Sequence, residues 1–393
     1  MDALFSDRIS DVPQSFIREI LKVTLDDSII SFAGGLPNRN LFPVEKLQLA
    51  TQEVFTTAGQ DALQYSNSEG YLPLRQYISA RYQAKQGLDI SPESILITTG
   101  SQQGLDLMGK SLINCGDKVI IEEPGYLGAI QAFSVYRPAF KGVPVDQSGM
   151  DIDALHQALK GDPPKLIYTV PNFQNPAGIS YSNEKRHQLA DAIKDTAITL
   201  IQDDPYGDLR FSGTPKENFY SLAPENTVLL GSFSKTIAPS LRIGWLVAQP
   251  PLMEKLLIAK QAADLHTNYL SQRILHTFLE RNNLDDHIQT ITRTYGEQKM
   301  AMIQAIKEFF PPEVDCTDPE GGMFLWVSLP KTMSAMTLFD IAIKEKVAFV
   351  PGTPFYVNKK DTNTLRLNFS CMDQKTIREG IKRLGAAIAS QMK

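Results

Sequence analysis

Leu229-Leu230-Gly231-Ser232-Phe233-Ser234-Lys235, followed by Arg242-Ile243-Gly244-Trp245, is the stretch on which the reading of the fold turns. It reads as an apolar strand that ends in two hydroxyls and a lysine, with an arginine seven residues after the lysine and then a tight glycine turn. An amine, two hydroxyls and a guanidinium brought together suit a phosphorylated aldehyde. The amine makes a Schiff base, and the hydroxyls and guanidinium hold the phosphate. A lysine taken alone is far more often a solvated surface charge, so this reading depends on the segments around it.

Working outward, the chain from about residue 90 to 250 alternates short apolar runs with helical stretches. Strands are expected at Ser94–Thr99, Lys118–Glu122, Lys165–Val170, Ile198–Gln202 and Thr227–Leu230. Buried strands separated by helices indicate an α/β fold with a mostly parallel sheet. Ligands of such sheets sit beyond the carboxyl ends of the strands, and the polar motifs of this chain fall at those ends. After about residue 250, helical stretches near 250–280 and 284–309 precede a mixture of strands, such as Met323–Val327, and helices. This last part is expected to be a smaller α+β domain joined by residues near the N-terminus. The expected division is an N-terminal segment 1–45, a large domain 46–284 and a small domain 285–393.

Composition narrows the possibilities. A chain of 393 residues with 42% hydrophobic and 21% charged residues is ordinary for a globular protein of two or three domains. A net charge of -5 gives no electrostatic reason to expect nucleic acid. Cys115, Cys316 and Cys371 lie far apart and read as reduced core residues in a reducing compartment. The five histidines show no metal-ligand spacing, so no metal is expected. No run approaches the length of a membrane span. Met1–Arg8 resembles no leader, and the expected location is cytoplasmic.

The remaining motifs supply parts of one site. Gly100-Ser101-Gln102 lies where a strand meets a helix, and the free N–H groups there can hold a phosphate. Asp203-Asp204-Pro205-Tyr206 follows an apolar strand, so either carboxylate can pair with a protonated pyridine nitrogen and the tyrosine can reach a ring hydroxyl. Asn175, held extended before Pro176, offers an amide to the same ring oxygen. Tyr126 can stack on a ring, and Tyr65 alone passes as a surface tyrosine. Arg366, in a strand of alternating pattern, is either an edge charge or a fork for a carboxylate. These parts suit pyridoxal 5'-phosphate, whose ring takes up the electrons of amino-acid carbanions.

Together the segments resemble class I/II aminotransferases of pyridoxal phosphate fold type I, over nearly the whole chain. The nearer likeness is to the 2-aminoadipate and kynurenine/α-aminoadipate aminotransferase subgroup. It is carried by Ile17–Lys22, Phe32–Pro37 with Leu41-Phe42-Pro43, Leu63–Ser66, Thr98–Gln103, Gly231–Lys235, Ala262–Thr267 and Gly321–Phe324. The resemblance implies roles at matching positions. Lys235 would carry the cofactor aldehyde, Asp203 rather than Asp204 would pair the ring nitrogen, and Asn175 and Tyr206 would hold the ring oxygen while Tyr126 stacks. Gly100, Ser101, Gln102, Ser232, Ser234 and Arg242 would surround the phosphate. Tyr65 would reach the phosphate of a neighbouring subunit, implying a homodimer. Arg366, Asn175 and Gly35 would meet the substrate.

Gly125 stands where relatives often carry Ser or Ala, which removes no reactive group. Arg18, in a short helical stretch ahead of the Gly34-Gly35-Leu36-Pro37 loop, reads either as a solvated helix-face charge or as a partner for a distal carboxylate. The implied reaction moves an amino group from an L-amino acid (2-aminoadipate, aromatic, kynurenine or branched-chain) to a 2-oxo acid such as 2-oxoglutarate, in ping-pong fashion. Two alternatives share the fold. A β-lyase or decarboxylase would use the same cofactor. A MocR-type regulator would carry a winged helix–turn–helix ahead of this region, and aminotransferase-like sequence already begins by about Ile17.

Overall fold

The computed structural model describes residues 4–10, 12, 20, 26, 28–359 and 361–392. Its centre is an eight-stranded sheet. In spatial order the strands are Ile95–Thr98, Gly244–Val247, Thr227–Ser232, Thr199–Asp203, Leu166–Thr169, Lys118–Glu123, Ala139–Asp146 and Gly149–Met150. Gly244–Val247 and Gly149–Met150 run against the rest, so the sheet is mostly parallel. All five strands read from the sequence are present, within a residue or two of their expected bounds.

The strands are apolar on both faces because helices cover both. Successive residues of one strand feed opposite layers. Leu96, Leu230 and Leu246 pack with Leu105, Met108 and Leu256 on one side. Ile95, Ile97, Leu229 and Val247 pack with Leu74, Ile78, Leu275 and Phe278 on the other. Each fully buried aliphatic side chain of this kind contributes about 1.5–3 kcal/mol.

Three readings are corrected by the structure. The glycine of Arg242-Ile243-Gly244-Trp245 makes no tight turn; it begins a strand that fills the gap between Ile95–Thr98 and Thr227–Ser232. The turn is made by Arg242 itself, left-handed at φ 55° after the short 3-10 turn Pro239–Leu241. Gly244 is required by contact instead, since a Cβ there would lie 2.7 Å from the Gly100 carbonyl carbon and from the Ser101 nitrogen. The stretch near 250–280 is two helices, Pro250–Asp264 and Tyr269–Arg281, broken at Leu265 (φ 65°) and restarted by Asn268, whose side chain caps the Ser271 amide. The cysteines are free but are not core residues: Cys115 is exposed, and Cys316 and Cys371 are half-buried.

Helix Leu284–Phe309 packs on helix Gln374–Gln391. Beside them stands a four-stranded antiparallel sheet with Thr364–Asn368 between Phe324–Ser328 and Val350–Pro351. Ile30–Ser31 pairs with Val347–Ala348. That pairing brings the Ala33–Leu36 loop under Arg366 and Ser370, which reach the Ala33 and Leu36 carbonyls. Among the described residues no helix is long and apolar enough to cross a membrane.

Candidate active site

A cavity of about 280 Å³ opens at the carboxyl ends of the strands. Its walls bring together Gly35, Ser101, Gln102, Tyr126, Asn175, Asp203, Tyr206, Ser232, Ser234, Lys235, Arg242 and Arg366, residues scattered over more than three hundred positions of sequence. Val170, Pro205 and Pro239 complete it. Gly100 stands just outside as the N-cap of helix Ser101–Leu112 with φ 73°, and a Cβ on it would lie 2.4 Å from Arg242 Nη2. Tyr65 lies elsewhere, 79% exposed, its ring edge-on to His266 at 5.9 Å. Arg18 falls outside the described residues.

Lys235 follows the end of the central strand Thr227–Ser232. Its Nζ donates to the Gly35 carbonyl at 2.8 Å. Burial drives its pKa down to about 8; the neighbouring Arg366 guanidinium pushes the same way, Cys371 opposes it, and Arg242 adds a smaller push downward. An amine with one carbonyl partner and two positive neighbours is set up as a nucleophile and base.

Asp203 ends strand Thr199–Asp203 and is 1% exposed. Its Oδ2 accepts from the Tyr168 hydroxyl at 2.8 Å, while Oδ1 is buried without a partner among the described residues. Burial raises its carboxyl to about 7, and the charges of Asp204 and Glu122 add to the rise. A buried carboxylate with an open oxygen on a cavity asks for a cation there. Asp204 is oriented differently. It accepts from Asn172 Nδ2 at 2.9 Å and lines a second cavity, of about 250 Å³, on the other side of the Pro205 turn.

Arg366 was read as either an edge charge or a fork, and the edge reading is overturned. Its strand is interior and buried along its whole length, and Arg366 is 3% exposed. The guanidinium lies over the rings of Phe324 and Phe355 at 4.4 and 5.3 Å. It donates to Asn175 Oδ1 at 2.7 Å and to the Ala33 carbonyl at 2.9 Å, and Nε finds no partner. Burial lowers its pKa to about 10, and no carboxylate among the described residues pairs with it. Leaving a buried guanidinium without an acid is costly unless a ligand supplies the anion.

Asn175 joins the two ends of the site, since its Nδ2 also donates to the Tyr206 hydroxyl at 3.3 Å. Burial lifts the phenols of Tyr126, to about 12, and of Tyr206, so both stay neutral hydroxyls. At the far end, the first turn of helix Ser101–Leu112 offers unpaired N–H groups. Beside it Ser232 Oγ donates to Ser234 Oγ at 2.8 Å, and among the described residues the Arg242 guanidinium donates to the Thr99 and Pro239 carbonyls alone. That cup of hydroxyls, amides and a guanidinium has the donor set of a phosphate site. The cavity as a whole fits a pyridoxal phosphate: amine, open carboxylate, ring-oxygen donors and phosphate cup occur in one space.

Sequence reasoning missed Tyr168 and Glu122. Both sit inside strands that read as apolar runs, and only the pairing of Leu166–Thr169 with its neighbours puts their polar ends behind the cavity.

The family described as aminotransferase class I and II matches residues 30–384. An aromatic-amino-acid aminotransferase 1 of Thermococcus litoralis is 41% identical over 395 residues, covering 99% of this chain and 95% of that protein. A 2-aminoadipate transaminase of Thermus thermophilus is 42% identical over 381 residues, 96% of this chain and 94% of its own. Among solved structures, a Pyrococcus horikoshii kynurenine aminotransferase, crystallised with PMP and with kynurenine substrate and product, superposes with a TM-score of 0.96. It shares 40% identity over 100% of this chain and 98% of that one.

Proposed function

The chain belongs to the class I and II aminotransferases, and from that premise we propose that the cavity around Lys235 carries the transfer. The protein is an aminotransferase of fold type I, and its cofactor is pyridoxal 5'-phosphate. When bound, that cofactor supplies an aldehyde that condenses with amines and a ring that takes up the electrons of a carbanion.

The chain's residues do the rest. Lys235 holds the aldehyde end. Asp203 Oδ1 meets the protonated ring nitrogen, which keeps the ring electron-withdrawing and relieves the carboxylate's burial. Asn175 and Tyr206 donate to the ring oxygen, and Tyr126 covers the ring face. Gly100, Ser101, Gln102, Ser232, Ser234 and Arg242 take the phosphate, with Tyr65 from a partner subunit. Arg366 binds the α-carboxylate of amino and oxo acid, with Asn175 and Gly35 bordering the substrate. Lys235 Nζ, its pKa driven down to about 8 by burial, would take the proton from the α-carbon of the amino acid and give it to the cofactor's aldehyde carbon, so that the nitrogen stays with the cofactor and the 2-oxo acid leaves.

A homodimer is supported by the apolar surface left open around Tyr65, where Leu63 is 69% and Leu265 46% exposed. A division into 1–45, 46–284 and 285–393 is supported by the pairing of Ile30–Ser31 with Val347–Ala348, which ties the N-terminal segment to the last part of the chain. The donors we propose are 2-aminoadipate, aromatic acids including kynurenine, and branched-chain acids, with 2-oxoglutarate as acceptor in a cytoplasmic setting. Arg18 would meet the distal carboxylate of the dicarboxylic members.

The observation that carries this reading is the partnerless trio on one cavity: Lys235 short of acceptors, Asp203 with an open oxygen, and Arg366 without an acid. A panel of amino donors, each followed as a single half-reaction to the aminated cofactor, tests it. Conversion with 2-oxo acid release is expected. Release of pyruvate with ammonia, or of carbon dioxide, in place of the oxo acid would contradict it.

A further inference from the structure

Glu122 is 1% exposed, lies one strand away from the chemistry, and has no part in the roles assigned above. Three donors converge on it. Oε1 accepts from the Val170 amide at 3.1 Å and from the Tyr181 hydroxyl at 2.8 Å. Oε2 accepts from Gln174 Nε2 at 2.9 Å. Burial raises the Glu122 carboxyl to about 7, and these three donors pull it back toward the carboxylate. Among the described residues, Asp203, Tyr168 and Tyr181 feel its charge, and Arg186 donates to the Tyr181 carbonyl behind it.

Gln174 is equally committed. Its amide also donates to the Pro124 carbonyl at 2.7 Å, and its Oε1 accepts from the Ala177 amide at 2.7 Å. Its backbone pairs with Ile179 and Gly178 at 2.8 and 2.6 Å. Asn175 is therefore bracketed, with one neighbour pinned by Glu122 and the Ala177 amide pinned by Gln174. The Pro124 bond ties the same knot to the loop that carries Tyr126 two residues later, and Val170, a third anchor, lines the cofactor cavity itself.

We propose that Glu122 is a positioning residue: through Gln174 it locks the Asn175 loop to the Tyr126 loop and so fixes Asn175 between Arg366 and Tyr206. This rests on the role given above to Asn175 at the ring oxygen and beside the substrate carboxylate. The direct contacts of Asn175 leave little tolerance. Arg366 donates to it at 2.7 Å, so a shift of its backbone moves the carboxylate fork and the ring-oxygen donor together. Substitution Glu122→Gln keeps the shape and breaks the logic. A glutamine there has one acceptor oxygen for three donors, so its amide must face a donor. If Gln174 turns its own amide to answer, it surrenders Pro124 and Ala177. Gln174→Leu cuts the same link and leaves the Glu122 carboxyl itself in place.

The test uses purified cofactor-loaded enzyme and three variants: Glu122→Gln, Gln174→Leu and, as a benchmark, Asn175→Ala. Two quantities are read: the pH midpoint of the visible absorbance of the bound cofactor, and KM against kcat for one amino acid and one oxo acid. Affinity for pyridoxal phosphate is measured alongside. The expected result is that Glu122→Gln and Gln174→Leu move the midpoint in the same direction as Asn175→Ala. Both should raise KM for both acids about tenfold, the size of one lost buried hydrogen bond, with cofactor affinity held within about twofold. A merely structural role would lower stability and leave midpoint and KM alone, which overturns the proposal. A shift in Glu122→Gln but not in Gln174→Leu assigns the effect to charge and also overturns it. A shift in Asn175→Ala alone sinks the proposal and leaves the Asn175 reading standing. No shift even in Asn175→Ala sinks that reading, and the proposal with it. If Glu122→Gln does not fold, Gln174→Leu decides against the same benchmark.

Discussion

Lys260 and Lys235 are both set deep in the fold, and their surroundings differ in kind. Lys260 Nζ has a full set of acceptors: Gln103 Oε1 at 2.6 Å, Thr267 Oγ1 at 2.8 Å and Asp264 Oδ1 at 2.7 Å. Burial lowers its pKa, and Asp264 pulls it back. Lys235 has one carbonyl and two guanidiniums for company. The first amine is a structural tie: its network holds Gln103, which accepts from the Thr99 amide at the entrance to the phosphate cup. The second is left short of partners where a ligand can complete them. Burial alone does not make a lysine reactive; the incompleteness of its partners does.

The adjacent aspartates differ in where they face. Each has one oxygen held by a side chain and one without a partner among the described residues, but Asp203 lines the cofactor cavity, whereas Asp204, held by Asn172, lines the cavity beyond the Pro205 turn.

The sharpest way to break the lysine comparison is to remove each amine. Lys235→Ala should abolish steady-state transamination, and Lys260→Ala should keep it while losing about 2–3 kcal/mol of stability in denaturant titration, as a buried tie does. Loss of catalysis in both with stability intact would erase the distinction. Next in size, Asp203→Ala should bind the cofactor yet slow the half-reaction at least about 100-fold, because a preorganised charge partner is worth several kcal/mol. Asp204→Asn should be far milder, and the reverse order would exchange the two aspartates.

Arg366→Ala should weaken amino and oxo acids alike by roughly 1.5–3 kcal/mol in kcat/KM. Arg18→Ala should weaken glutamate and 2-aminoadipate by a similar roughly 1.5–3 kcal/mol and leave leucine unchanged; equal losses for both donors would remove Arg18 from substrate recognition. The smallest effect concerns pH. Lys235 has its folded pKa depressed from 10.5 to about 8. Between those values the unfolded chain binds the proton that the folded chain has lost, so stability of the cofactor-free protein should rise with pH across that window. The rise should vanish in Lys235→Met, as measured by denaturation at several pH values.

The sheet was legible because its strands are short apolar runs closed by Gly, Pro or Asp, and the reactive residues were legible because they sit at those closures. Asp203 ends its strand, and Lys235 and Asn175 follow theirs by three and six positions. What stayed hidden depended on pairing. Gly244–Val247 looked like a turn because its glycine is explained only by the backbone of Gly100 pressed against it. The edge-charge alternative for Arg366 stayed open in the sequence because the strands that bury it, Phe324–Ser328 and Val350–Pro351, are known only once the small sheet is assembled. Tyr168 and Glu122 meet their partners 35 and 52 residues away, beyond any local pattern.

The central claim, that Lys235 is the one lysine whose incomplete surroundings the cofactor completes, has a direct test. The loaded enzyme is reduced with borohydride, digested, and the pyridoxyl-bearing peptide sequenced. The account predicts a single modified lysine, Lys235, in the Gly231–Lys235 segment, and no fixation of cofactor to the Lys235→Ala protein. A label on Lys260 or any other lysine, or undiminished fixation in the variant, would contradict it.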